Sequence, residues 1–257
     1  MSAAAETGFR PDFPAAVVRP SPNRGPRRGI AAPDMIVLHY TGMKSGQAAE
    51  ERLRDPAAEV SSHYLVHEDG RVVQMVPERE RAWHAGKSFW AGETDINSRS
   101  VGIEIVHPGH EFGYRAFRGR QIEAVITLCR DILGRHAIRP ERVLAHSDVA
   151  PGRKIDPGEK FPWKRLAEAG VGLFVPPVRV GVPQGLAAGD EGEAVLALQE
   201  GLARYGYEIE ASGRFDARTG IVVAAFQRHF RPRRVDGIAD RSTVETLRRL
   251  LAALPDG

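Results

Sequence analysis

The chain has a single cysteine, Cys129, in 257 residues, so no internal disulfide can form and core packing or a metal must hold the fold. Long apolar runs are also missing. No window approaches the roughly 18 consecutive apolar residues of a membrane-spanning helix, and no membrane partner is expected. Between Met1 and Pro20 stand Glu6, Arg10, Asp12 and three prolines. That stretch lacks the continuous apolar segment of about 7 to 15 residues that export signals carry. The sequence as written is therefore expected in the cytoplasm, or in the periplasm if its start or export route differs. Neither sign of charge dominates: 36 Lys and Arg against 33 Asp and Glu leave +3, and the two signs are interspersed, so no nucleic-acid partner is expected. The densest basic run, Arg228 to Arg234, sets four arginines around His229, Phe230 and Pro232. Without interleaved aromatic platforms it reads as a solvated loop.

What is present suits a globular chain of two domains. Glycines and prolines crowd the stretch from Gly170 to Gly189, including Pro176, Pro177, Gly181 and Pro183, and interrupt any helical or strand period. The expected division is a first domain over 1–172, a Pro/Gly-rich linker over 173–185 and a second domain over 186–257. Cys129 lies on the apolar side of a helix expected over Gln121 to Arg135, where Ile122, Val125, Ile126, Ile132 and Leu133 recur at helical spacing; it reads as a buried, unreactive thiol. A second helix is expected from about Ser45 to Leu53. His63 to Glu68 and Arg71 to Val76 read as two strands joined by Asp69-Gly70 in a tight two-residue hairpin.

Three apolar segments end in, or contain, a polar residue with no evident structural duty. Met35-Ile36-Val37-Leu38 reads as a strand buried on both faces and runs into His39. Val101-Gly102-Ile103-Glu104-Ile105 is strand-like, with Glu104 on the face opposite Ile103 and Ile105. Val143-Leu144-Ala145 is followed at once by His146, and Asp156 stands ten residues later on a loop rich in Pro and Gly. A mononuclear zinc hydrolase needs three such donors and one open position. A histidine at a strand end is more commonly a hydrogen-bonded structural residue, so spacing alone does not decide between the two readings.

Several separated motifs carry a resemblance. Ile36-Val37-Leu38-His39-Tyr40-Thr41, Ser61-Ser62-His63-Tyr64-Leu65-Val66, Trp83-His84-Ala85-Gly86, Asn97 with Ser100-Val101-Gly102-Ile103-Glu104-Ile105, and Ala145-His146-Ser147-Asp148 to Arg153-Lys154-Ile155-Asp156-Pro157-Gly158 together resemble the type 2 N-acetylmuramoyl-L-alanine amidases, the AmpD-like family, in unbroken order over about Asp34 to Leu173. The resemblance implies an α/β domain, a central mixed β-sheet with flanking helices, and one zinc per chain held by His39, His146 and Asp156. It further implies Glu104 as general base and Lys154 as the cation that steadies the developing oxyanion. Tyr40, Thr41, Trp83, His84 and Asn97 match motif positions near the groove and are expected to contact substrate, while His63 matches no metal position and reads as a core or outer-sphere histidine. The implied reaction is hydrolysis of the amide between the lactyl group of N-acetylmuramic acid and L-alanine, in peptidoglycan or (anhydro)muropeptides. A non-catalytic peptidoglycan-recognition protein is the rival on the same fold.

In the second part, Val195, Leu196, Leu198, Gln199 and Leu202 recur at helical spacing, followed by Gly213-Arg214-Phe215-Asp216, Phe226-Gln227 and Val235-Asp236-Gly237-Ile238. The pattern is similar to the small all-α three-helix peptidoglycan-binding domain fused to many wall hydrolases. Asp216 and Asp240 read as turn or cap residues. Such a domain is expected to act as a tether, so that its removal leaves hydrolysis of small soluble muropeptides nearly unchanged.

Overall fold

A computed structural model describes residues 8–179 and 184–255. The first residues of the export-signal reading and four residues of the expected linker lie outside the described residues. The chain forms two compact units, Met1–His84 with Asn97–Ile138, and Ala85–Ile96 with Arg139–Gly257.

The elements up to residue 138 are β1 (Val17–Val18), β2 (Arg24–Pro26), β3 (Met35–Tyr40), α1 (Gly46–Arg54), β4 (Tyr64–Val66), β5 (Val72–Gln74), β6 (Glu80–Ala82), α2 (Ile96–Arg99), β7 (Ser100–Ile105) and α3 (Gly119–Arg135). In the first unit the strands run in the order β1-β5-β4-β7-β3. β4 and β5 are antiparallel and the other neighbours parallel, which makes the sheet mixed as expected. Met35 to His39 are buried without a break, the mark of a strand covered on both faces. α1 starts where a cap is available, with Ser45 accepting a hydrogen bond from the backbone N–H of Ala48 at 3.1 Å. α3 buries Ile122, Val125, Leu128, Cys129 and Ile132. Burial pushes the Cys129 thiol up to about 12, so it stays protonated and inert.

The β4–β5 hairpin differs from the two-residue turn. His67 N–H donates to Arg71 O and Gly70 N–H to His67 O, leaving three residues in the loop. Gly70 has φ +91°, while Asp69 is not among the positive-φ residues. A type I′ turn needs positive φ at both central positions; here Asp69 instead accepts from Arg71 N–H at 2.9 Å and only glycine takes the left-handed position.

The second unit carries β8 (Val143–Ala145), α4 (His146–Val149), α5 (Trp163–Glu168), β9 (Gly185–Leu186), α6 (Glu193–Tyr205), α7 (Ala217–Phe230), β10 (Ala239–Asp240) and α8 (Arg241–Ala252). Asp216 and Asp240 cap α7 and α8, each accepting from the N–H three residues on. The helices do not form a separate bead: Trp90 meets Tyr205 and Tyr207 edge-on at 5.3 and 5.0 Å, and Trp163 stacks on His229 at 3.7 Å. Of the linker, Val175 is buried and the Ser242 hydroxyl donates to Val178 O. The basic run is divided: its first residues end α7 and Arg231 turns inward to Asp240 at 3.1 Å and Thr243 at 2.7 Å, while Arg233 and Arg234 lie exposed in the turn that follows. No helix of the described residues is long and apolar enough to cross a membrane.

Candidate metal centre

His39 and Glu104 are register partners on the adjacent parallel strands β3 and β7. Paired residues of parallel strands project to the same face, roughly one strand spacing of about 5 Å apart. Glu104 therefore stands beside His39 on one face of the sheet. His39 is buried, and its Nε2 lies 3.0 Å from Nδ1 of His84, whose Nε2 lies 3.1 Å from Ser100 Oγ. One hydrogen bond therefore joins His39 to His84 and another joins His84 to Ser100, which fixes the orientation of both rings.

The ring of His84 rests on Gly102. A Cβ added at Gly102 would stand 2.4 Å from two carbons of that ring, so a glycine in the middle of a buried strand is explained by close approach. Because His84 is tied to two partners it cannot swing away cheaply. Gly102→Ala is expected to cost about 1–3 kcal/mol, the range for overpacking, seen as a lowered Tm, whereas Gly119→Ala should not. Nothing lies within 4 Å of a Cβ at Gly119, which serves as the control.

His63 has no metal role. It is fully buried, its Nδ1 accepts from Gly102 N–H at 2.9 Å, and its Nε2 lies 2.9 Å from Glu80 O. Burial, aided by the Arg27 guanidinium 3.1 Å away, lowers its pKa to about 3, so the ring is neutral throughout the working range.

In the other unit, His146 opens the single-turn helix α4. Its Nε2 lies 3.1 Å from the carbonyl of Ala85, and its Nδ1 lies 3.0 Å from Asp156 Oδ2. The backbone ties the same pair together, Ser147 N–H donating to Asp156 O at 3.0 Å. An imidazole nitrogen and a carboxylate oxygen this close are joined by a shared proton or by a metal ion, and loss of that proton leaves both as metal donors. Arg153, which the sequence reading left without a role, donates to the carbonyls of Ala85 and Lys87, with a longer approach of 3.4 Å to His146 Nε2. It fixes the wall against which His146 rests.

Among the described residues, His39, His146 and Asp156 are buried and each offers one ligand atom, all within 4.8 Å of one another. Ligands about 2.0–2.1 Å from a tetrahedral zinc are roughly 3.3 Å apart, so the 3.0 Å His146–Asp156 separation and the His/His/Asp donor set fit zinc. Lys154 is half-buried, with its backbone N–H on Ala150 O at 3.0 Å.

The five expected substrate contacts divide. His84 and Asn97 are buried, and Asn97 Oδ1 accepts from His84 N–H at 2.9 Å, so this pair orients the histidine chain. The Thr41 hydroxyl donates to His107 O at 3.1 Å and closes a loop. Tyr40 and Trp83 are half-buried, the Tyr40 hydroxyl 2.9 Å from His110 Nδ1.

Known proteins match this chain along most of its length. The sequence profile of the N-acetylmuramoyl-L-alanine amidase family matches residues 29–159, and that of a peptidoglycan binding domain matches 191–247. The N-acetylmuramoyl-L-alanine amidase AmiD of Escherichia coli K12 is 40% identical over 223 residues, covering 81% of this chain and 79% of AmiD. The 1,6-anhydro-N-acetylmuramyl-L-alanine amidase AmpD of the same organism is 31% identical over 57% of this chain and 87% of its own. The solved structure of E. coli AmiD with the substrate anhydro-N-acetylmuramic acid-L-Ala-D-gamma-Glu-L-Lys superposes with a TM-score of 0.72 at 37% identity, covering 88% of this chain and 91% of that one. AmpDh3 of Pseudomonas aeruginosa in complex with anhydromuramic pentapeptide gives 0.71 at 30% identity over the whole of both chains. With a mixed-sheet fold, a buried His/His/Asp set and relatives of this kind, the chain belongs to the N-acetylmuramoyl-L-alanine amidase family and is an amidase of cell-wall recycling.

Proposed function

We propose that His39, His146 and Asp156 hold one zinc ion per chain, that Glu104 is the general base and Lys154 the oxyanion-stabilising cation, and that the scissile bond is the amide between the lactyl group of N-acetylmuramic acid and L-alanine in peptidoglycan or (anhydro)muropeptides. The observation that carries the metal assignment is the donor set itself, buried His39, His146 and Asp156 each offering one ligand atom. A zinc ion bound there supplies Lewis acidity toward the amide carbonyl and brings the pKa of a water toward neutrality. Glu104, beside His39 in register, takes the proton of the attacking water and delivers it to the leaving amine. The Lys154 charge favours the tetrahedral anion over the neutral amide. Tyr40 and Trp83 offer half-buried faces to the substrate, while His84 and Asn97 orient His39 and Thr41 anchors the segment that follows it.

We assign the catalytic domain to 1–172, the linker to 173–185 and the wall-binding domain to 186–257, supported by profile matches that fall on either side of the linker. The substrates in the AmiD and AmpDh3 structures support an anhydromuropeptide.

The test combines metal content with product analysis. Purified protein should contain one zinc per chain and release stem peptides beginning with L-alanine from an anhydromuropeptide, read by mass spectrometry. His39→Ala, His146→Ala and Asp156→Ala should each lose zinc and activity together, because a site of three ligands cannot spare one. Full activity after exhaustive chelation would end the metal assignment.

A further inference from the structure

Two residues after His146, Asp148 is a wholly buried carboxylate that the proposed chemistry does not use. Its Oδ2 accepts from the backbone N–H of Ala145 at 2.9 Å and from His229 Nδ1 at 2.7 Å, and its Oδ1 accepts from the Tyr207 hydroxyl at 2.7 Å. The first bond closes α4 on itself and so sets the backbone from which the His146 ring projects. The other two come from 59 and 81 residues downstream, from the helical part that resembles a wall-binding domain. His229 is itself held, with its ring stacked on Trp163 at 3.7 Å. Tyr207 stands edge-on to Trp90.

We propose that Tyr207 and His229 are positioning residues for His146, acting through Asp148, so that the helical part completes the metal-ligand segment as well as serving any role at the wall. Opposite Asp148, Ser147 N–H is bonded to Asp156 O, so the His146–Asp156 pair is braced by the ligand loop on one side and by the Asp148 clamp on the other. A carboxylate with three donors has little freedom to rotate, and a one-turn helix has no length of its own to resist movement. Freeing Asp148 therefore lets the His146 ring tilt. Partners beyond the ligands of a metal site typically change its affinity by about 10–100-fold when they are removed.

This inference rests on the reading of His146 as a ligand. The full-length protein is used throughout, loaded with zinc for affinity and with cobalt(II) for the visible spectrum, which reports ligand geometry. Tyr207→Phe keeps the ring and removes one donor; His229→Leu keeps volume and removes the other; His229→Asn places an amide N–H near the position of Nδ1. The double variant Tyr207→Phe/His229→Leu should bind zinc at least about 10-fold more weakly and show an altered cobalt spectrum. Tyr207→Phe should move both readouts less, in the same direction, and His229→Asn should stay near wild type. If Tyr207→Phe and the double variant lowered Tm but matched wild type in zinc affinity and cobalt spectrum, the contacts would be packing alone and the inference would fall. Should Tyr207→Phe alone be obtained folded, unchanged zinc affinity and spectrum would overturn it equally. His146→Ala with zinc still bound is a different result, since it removes the ligand assignment itself.

Discussion

Glu104→Gln lowers turnover of a defined anhydromuropeptide by about two to four orders of magnitude while the protein keeps its zinc, the usual range for a positioned acid or base. The substitution is nearly isosteric and leaves strand β7 unchanged, so stability and metal content serve as internal controls. Glu104 faces the same side as His39 by register, and a carboxamide there can neither accept the water proton nor return it to the departing amine. KM should change little, because the loss falls on the transition state. The measurement is single-turnover rate against zinc content on one preparation. A variant as active as wild type would remove Glu104 from the chemistry, and a variant that loses its zinc would make it a ligand or an outer-sphere support instead.

Deleting 186–257 abolishes hydrolysis of small soluble muropeptides as well as of insoluble peptidoglycan. A tethered binding domain predicts the opposite, with the small substrate spared. The contacts within the second unit favour the first outcome. Deletion strips the Tyr207 and His229 donors from Asp148 and uncovers the rings of Trp90 and Trp163. Hydrogen bonds to a charged group are worth about 1.5–3 kcal/mol each, and burying a large side chain contributes about as much again. Water replaces part of the lost hydrogen bonding but none of the packing, and domain stability totals only about 5–15 kcal/mol. The readouts are rate on the soluble substrate, zinc content and resistance to proteolysis. A truncated chain that stays folded, holds zinc and cleaves the soluble substrate at the wild-type rate would restore the tether.

Much of this was legible in the chain. Continuous burial of Met35 to His39 follows from an unbroken apolar run, α1 and α3 from helical spacing, and the caps at Ser45, Asp216 and Asp240 from short polar side chains ahead of periodic segments. His39, His146 and Asp156 could be singled out as candidate donors because zinc hydrolases draw on few residue types, but it was the family resemblance that joined them into one set. The turn at Asp69-Gly70 was located correctly but not its length, since that depends on whether Asp69 takes positive φ or accepts a hydrogen bond instead.

His229 shows where local pattern stops. Set among four arginines, it reads as solvated, yet it is 1% exposed, stacked on Trp163 and bonded to Asp148. Likewise no spacing rule pairs Tyr207 with Asp148, or tells that His84 sits on Gly102 and serves His39. Element type, caps and core faces depend on interactions within a few residues and on intrinsic side-chain chemistry, and these the sequence determined by itself. Which carboxylate receives which donor and which strand neighbours which depend on contacts tens of residues apart, and the tertiary structure alone decided them.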